Sequence, residues 1–123
     1  MSLKVNSKEK QTGAFVISCS GSLDTNTYTT LESRLNLIFE GHHKLIVFDM
    51  ENLDYISSMG VRVIIKTQKQ MKSLNGTSKL MNLKPQVEKV FEIINALPSD
   101  QVFTNEKEMD EYLDKIQKKV IEE

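Results

Sequence analysis

One cysteine, Cys19, occurs in 123 residues, so no internal disulfide can form and a reducing compartment is the simpler setting. The thiol falls in a strand-like run with no His or Lys beside it in sequence to lower its pKa, which makes it a buried structural residue rather than a nucleophile. An excess of charge of either sign is also missing: 16 Lys and Arg face 17 Asp and Glu, for a formal net charge of -1. That balance gives the chain as a whole no electrostatic basis for gripping a nucleic acid or an anionic membrane surface. No apolar run approaches the length of a bilayer span, and Met1-Ser2-Leu3-Lys4 opens into polar alternation instead of a signal-peptide hydrophobic region. A cytoplasmic location without membrane insertion is the expectation. Two prolines and five glycines are scattered as punctuation, with no linker, repeat or low-complexity segment, so residues 1–123 read as one domain. A chain of this size can withdraw roughly two-thirds of its unfolded surface from water, enough for a core without metals or disulfides.

What is there alternates. Leu3 and Val5 are separated by polar residues, and Thr12-Gly13 turns the chain into Ala14-Phe15-Val16-Ile17-Ser18-Cys19, whose β-branched and aromatic content predicts the second strand of a hairpin. After Gly21-Ser22-Leu23-Asp24, apolar residues recur at Tyr28, Leu31, Leu35 and Ile38-Phe39, a helical spacing that ends at Gly41, with Asp24 or Thr25 as the expected cap. Between Lys44 and Asp49, Leu45-Ile46-Val47-Phe48 is too short for a helix and predicts a strand buried on both faces, at the centre of a sheet. Glu51 to Ile56 reads as a loop. Val61, Ile64, Ile65, Met71 and Leu74 then mark one face of a helix that Asn75-Gly76 stops.

Lys79-Leu80-Met81-Asn82 is a short strand, and Pro85 suits the first turn of a helix with the stripe Val87, Val90, Phe91 and Ile94. Leu97-Pro98 breaks the pattern and Val102-Phe103 makes an edge strand. Asn105 with Glu108 resembles a capping box before the stripe Met109, Tyr112, Leu113, Ile116 and Val120. Acids at Glu106, Glu108, Asp110 and Glu111 precede Lys115, Lys118 and Lys119, which suits the helix dipole and reads as a solvated face. The order β-β-α-β-α-β-α-β-α predicts an α/β sandwich, with a mostly parallel central sheet of about five strands and four helices.

Catalytic machinery is scarce. The one histidine pair, His42-His43, lacks the i,i+4 spacing that sets two ligands on a helix face and reads as a solvated turn. Glycine motifs for phosphate cradling are missing. Asp49, Glu51 and Asp54 cluster after the buried strand and suggest Mg²⁺, but turn-forming acids in a solvated loop are the better reading. A serine hydrolase needs a base that neither His42 nor His43 is evidently placed to supply. No metal, cofactor or enzymatic activity is expected. Ser57-Ser58-Met59-Gly60 stands apart, because it opens an amphipathic helix whose free N–H groups accept a hydroxyl oxygen or a phosphate carried on it. Read without further context, Ser57 or Ser58 is a cap worth about 1 kcal/mol.

Gly21-Ser22-Leu23-Asp24 and the stretch Asp49-Met50-Glu51-Asn52-Leu53-Asp54-Tyr55-Ile56-Ser57-Ser58-Met59-Gly60-Val61 resemble the two signature stretches of STAS domains, the anti-sigma-factor antagonists and their relatives. The likeness covers nearly the whole chain. It implies a STAS-like sandwich and a partner-switching protein, bound by an anti-sigma factor with serine kinase activity, phosphorylated by it, and reset by a phosphatase. By the same resemblance Ser58 matches the phosphoacceptor, and Asp24 ends the first motif near the partner-binding surface, which would include Ser57, Ser58, Met59 and Gly60. Gly60 is expected to refuse bulky replacements that would crowd that surface. Two departures stand out: Ser57 replaces a common Asp and becomes an alternative acceptor, and Met59 replaces a common hydroxyl residue. A STAS scaffold without phosphorylation, or an accessory subunit of a lipid or anion transport system, is the alternative.

Overall fold

Burial of Leu45-Ile46-Val47-Phe48 from both sides organises the architecture, because strands of this kind need helices on each face of the sheet. The computed structural model describes residues 2–11, 13–41, 44–94 and 102–122, with side chains described as far as residue 115 in the last helix. Its elements run β1 (Leu3–Gln11), β2 (Ala14–Leu23), α1 (Tyr28–Phe39), β3 (Leu45–Asp49), β4 (Leu53–Ile56), α2 (Ser58–Ser73), β5 (Thr77–Met81), α3 (Pro85–Ile93), β6 (Val102–Phe103) and α4 (Glu106–Glu122). The sheet order is β1-β2-β3-β5-β6, with β4 paired to β2 off that path. β1 and β2 form the expected antiparallel hairpin, and every other pairing is parallel. Thr12, His42-His43 and Leu97-Pro98 lie outside the described residues, as do the side chains of Ile116, Lys118, Lys119 and Val120.

The pleat sorts the strands into two cores. Ile17 and Cys19 of β2, Ile46 and Phe48 of β3 and Leu80 of β5 face α1, α2 and α3, where Leu31, Leu35, Val61, Ile64, Met71, Val87 and Phe91 meet them. Ala14, Leu45, Val47, Met81 and Phe103 face the other way, under Met109 and Leu113 of α4. Each large side chain so buried contributes about 1.5–3 kcal/mol. Lys79 is 7% exposed on the α4 side, its Nζ 4.6 Å from the Tyr112 ring centroid and 5.5 Å from that of Phe103. Those rings supply cation–π contact to a charge placed in an apolar layer.

Four sequence expectations change. Glu51–Ile56 is not all loop: Leu53–Ile56 is β4, whose exposed Asp54 and Tyr55 hide the alternation that would reveal it. Asp24 and Thr25 do not cap α1. Thr27 is the N-cap, without a side-chain cap bond. Leu74 leaves the α2 stripe for solvent as the C-cap residue, while Val63 and Thr67 take buried positions. Ile94, at the end of α3, is likewise exposed. The stop after α2 depends on Asn75, at φ 62°, with Gly76 N donating to Met71 O at 2.7 Å and Asn75 N to Lys72 O at 3.1 Å.

The capping pair before α4 forms, but asymmetrically. Glu108 N donates to Asn105 Oδ1 at 2.9 Å, whereas Glu108 Oε2 accepts from Thr104 N at 3.3 Å. The acids of this helix are not wholly solvated, because Lys10 of β1 reaches Glu106 at 2.8 Å and Asp110 at 3.6 Å. Both pairs are at the surface and contribute little. Among the described residues no helix is long and apolar enough to cross a membrane.

Cys19 is 1% exposed, and burial, seconded by the Asp49 carboxylate, pushes its thiol up from 9.0 to about 12. The folded state holds that proton more tightly than the unfolded chain, so the associated stability is fully present below pH 9.0 and is lost as pH rises toward about 12. The urea midpoint of the wild type is therefore expected to fall more steeply over that alkaline range than that of Cys19→Ala. Native Cys19 should resist Ellman's reagent near neutral pH and react on unfolding. Rapid labelling of the native protein would contradict this.

Candidate functional site

Strand pairing brings two stretches that are distant in sequence side by side. β2 is ten residues long and outruns β3, so Ala14–Ser18 pair with β3, whereas Gly21, Ser22 and Leu23 pair with Leu53, Tyr55 and Ile56 of β4. Asp54 is skipped in that register, a bulge beside Gly21. Gly21 sits at φ +104°, and a Cβ there would run into the Ser2 carbonyl oxygen, which accepts from Ser22 N at 3.1 Å. The ladder closes with Ser57 N donating to Leu23 O at 2.9 Å. Asp24 and Ser57 thus leave the sheet together at its carboxyl end.

Ser57 takes an extended conformation, φ -93° and ψ 172°, and caps α2 by accepting from Gly60 N at 3.3 Å. Its hydroxyl is committed to the helix end and the residue is half-buried. Ser58 follows as the first helical residue and is exposed, with half-buried Met59 beside it. No acid occupies the first turn of α2. The helix dipole therefore leaves this end uncompensated and favourable to negative charge.

Gly60 points inward. It is buried, and the space beside its Cα is filled by the Leu23 and Ile56 side chains and the Leu23 carbonyl. The crowding expected at this position therefore originates inside the domain and not at a partner surface.

Asp24 shapes the chain as well. Its Oδ1 accepts from Asn26 N at 2.9 Å and Thr27 N at 3.1 Å, an Asx-type turn that swings β2 into α1. Thr27 Oγ1 accepts from Asp24 N at 2.9 Å and lies 2.8 Å from the Ser22 carbonyl, locking the turn to the end of β2.

The acids after β3 disperse. Asp49 Oδ1 accepts from Glu51 N and Asn82 Nδ2, each at 3.1 Å, whereas Asp54 binds Lys84 at 2.6 Å. Among the described residues no three His, Cys, Asp or Glu are grouped to hold a metal. Sequence reasoning missed Tyr55, 48% exposed on β4 next to the serine turn, and the Asp54–Lys84 pair that ties β4 to the start of α3. Recognising β4 as a strand would have pointed to Tyr55, whereas the pair with Lys84 depends on a contact across 30 residues of chain.

The STAS domain family model matches residues 6–109. The chain is 34% identical over 85 residues to BtrV of Bordetella bronchiseptica, named as an anti-sigma factor antagonist, covering 69% of this chain and 73% of BtrV. In fold it is similar to the anti-sigma factor antagonist SpoIIAA in its unphosphorylated form, with a TM-score of 0.73 at 22% identity, covering 93% of this chain and 96% of that one. It is likewise similar to the Bacillus cell fate determinant SpoIIAA in its phosphorylated form, with a TM-score of 0.73 at 20% identity, covering 89% of this chain and 99% of the other.

Replacing a helical glycine by alanine usually gains up to about 1 kcal/mol. At Gly60 the new methyl would stand 2.8 Å from Leu23 Cγ and Ile56 Cγ1 and 2.9 Å from Leu23 O, which cannot retreat without releasing Ser57 N. Overpacking costs about 1–3 kcal/mol, so the steric term wins. Gly60→Ala is expected to lower the urea midpoint, and Gly60→Leu to lower it further. A midpoint equal to or above wild type for Gly60→Ala would refute this packing. Ser57→Ala should cost about 1 kcal/mol through the lost cap.

Proposed function

The chain belongs to the STAS domain family, and from that premise we propose that it is an anti-sigma factor antagonist controlled by phosphorylation of Ser58. In this reading it is a switch without catalytic activity of its own. Unphosphorylated, it binds an anti-sigma factor with serine kinase activity in the cytoplasm and frees the sigma factor. Phosphorylated, it is released, and a cognate phosphatase resets it. The observation that carries the reading is the exposure of Ser58 at the first position of α2, beside a Ser57 hydroxyl already engaged by Gly60 N. The name of BtrV supports the class of partner, and the two forms of SpoIIAA support control by phosphate. Asp24, Ser57 and Met59 would surround the acceptor on the docking surface, with Gly60 setting the helix in place beneath it.

Phosphate adds about -1.5 to -2 charges at pH 7. At a helix N-terminus that charge gains roughly 0.3–1 kcal/mol, so the fold should survive the modification. A partner fitted to a neutral hydroxyl would have to desolvate the phosphate, and each 1.4 kcal/mol of that penalty weakens binding about tenfold. Release then needs no refolding. Ser58→Asp is expected to bind the anti-sigma factor weakly, and Ser58→Ala to bind constitutively and resist phosphorylation. Mass spectrometry after incubation with the kinase, paired with pull-downs of both variants, checks this. Phosphate on Ser57 would reassign the acceptor. No phosphate on either serine, with both variants binding as wild type, would favour the scaffold role.

A further inference from the structure

Helix α2, SMGVRVIIKTQKQMKS, carries four basic residues and no acidic one, in a chain whose net charge is -1. Ser58, Arg62, Lys66, Lys69 and Ser73 are all exposed and recur at helical spacing, so they form one solvent-facing line that Ser58 heads. Lys72, in the last turn, has a structural reason to be basic because it complements the helix dipole. Arg62 has none, since it stands in the half of the helix where the dipole opposes a cation, and like charges at i,i+4 set it against Lys66.

Compensation from neighbouring elements is slight. Glu32 of α1 approaches Lys66 at 3.6 Å, leaving the lysine side chain 71% exposed. Among the described residues neither Arg62 nor Lys69 has an ion-pair partner. Helix α4 shows the ordinary arrangement, with Glu106 and Glu108 in its first turn.

We propose that the line Arg62, Lys66 and Lys69 is a docking face for an acidic surface of the anti-sigma factor, laid along α2 from Ser58. The inference rests on the antagonist reading above and deepens it. From Arg62 to Lys69 the face extends roughly 10 Å along the helix axis, a length that a patch of two or three carboxylates can match. A folded acidic protein surface fits better than an extended polyanion, because the remainder of this chain is more acidic than the whole and would repel a polymer reaching past α2. A phosphate on Ser58 would sit one turn from Arg62. It would draw that guanidinium to itself and present its own negative charge to the partner, so one modification removes an attraction and adds a repulsion.

The test is surface plasmon resonance over a range of salt concentrations, with the chain passed over purified anti-sigma factors of the serine kinase class from the same organism. The variant Arg62→Gln/Lys66→Gln/Lys69→Gln is compared with Lys4→Gln/Lys8→Gln/Lys44→Gln, which removes the same charge from exposed positions outside α2. The α2 variant is expected to associate about tenfold or more slowly, with a flatter dependence on salt, while the control matches wild type. Thermal melts should be alike, and the single variant Arg62→Gln gives a smaller change in the same direction. Equal binding by the two triple variants would overturn the docking face. Wild-type chain that binds no anti-sigma factor would instead remove the antagonist reading, and the docking face with it. Loss of binding to phosphatidylserine vesicles or duplex DNA by the α2 variant alone, with anti-sigma factor binding unchanged, would assign the cations to a polyanion and also overturn the proposal.

Discussion

The close approach of the first turn of α2 to the end of β2 is the constraint on which the site depends. Leu23 performs three tasks there: it pairs with Ile56, accepts from Ser57 N at 2.9 Å, and fills the space beside Gly60. A side chain at Gly60 would lift the helix from this seat. Because Ser57 caps the same turn and Ser58 follows it, the exposure of Ser58 is inherited from packing beneath it. Site geometry and core packing are therefore one problem at this corner of the domain.

That corner exists because β2 is longer than its neighbour. Where β3 ends at Asp49, β2 continues, and β4 takes over its free edge after the bulge at Gly21. The chain thereby lifts the serine turn beyond the main sheet, to the end where parallel strands release their carboxyl termini. Below it, the two-sided core isolates the site from α4, whose Tyr112 packs with Lys79 and Phe103 on the opposite face. Charge added at Ser58 would meet helix N–H groups and solvent, and the core would not need to rearrange.

The electrostatics follow the same division. Around the turn, acids are engaged in shaping the chain, Asp24 in its turn, Asp49 with Asn82 and Asp54 with Lys84. The cations of α2, by contrast, project to solvent, and among the described residues Glu32 beside Lys66 is their one ion-pair partner. A near-neutral chain can thus present a locally basic helix beside its serine turn, a feature that whole-chain charge conceals.

Most helices and the central strand were legible in the sequence because their signals are local. A continuous apolar run at Leu45 to Phe48, a period near 3.6 in α1 to α4, and Pro85 at a helix start each follow from neighbouring residues alone. The resemblance of Gly21–Asp24 and Asp49–Val61 to STAS signatures likewise points to Ser58 and its surroundings from sequence alone. β4 was not legible, since a strand of four residues with two exposed in succession is defined by its partner β2 and not by its own pattern. Nor were the turn role of Asp24, the inward aim of Gly60, the exposure of Leu74 or the burial of Lys79 under two rings. Each of these depends on which distant segment lies against the residue. Local signals placed every element except β4, because hydrophobic period and capping act over a few residues, and the STAS resemblance picked out the serine turn. What holds the serine turn in place is a matter of three-dimensional packing, because the Ser57 hydroxyl is taken up by Gly60 N and Gly60 is seated against Leu23 and Ile56, contributed by separate strands.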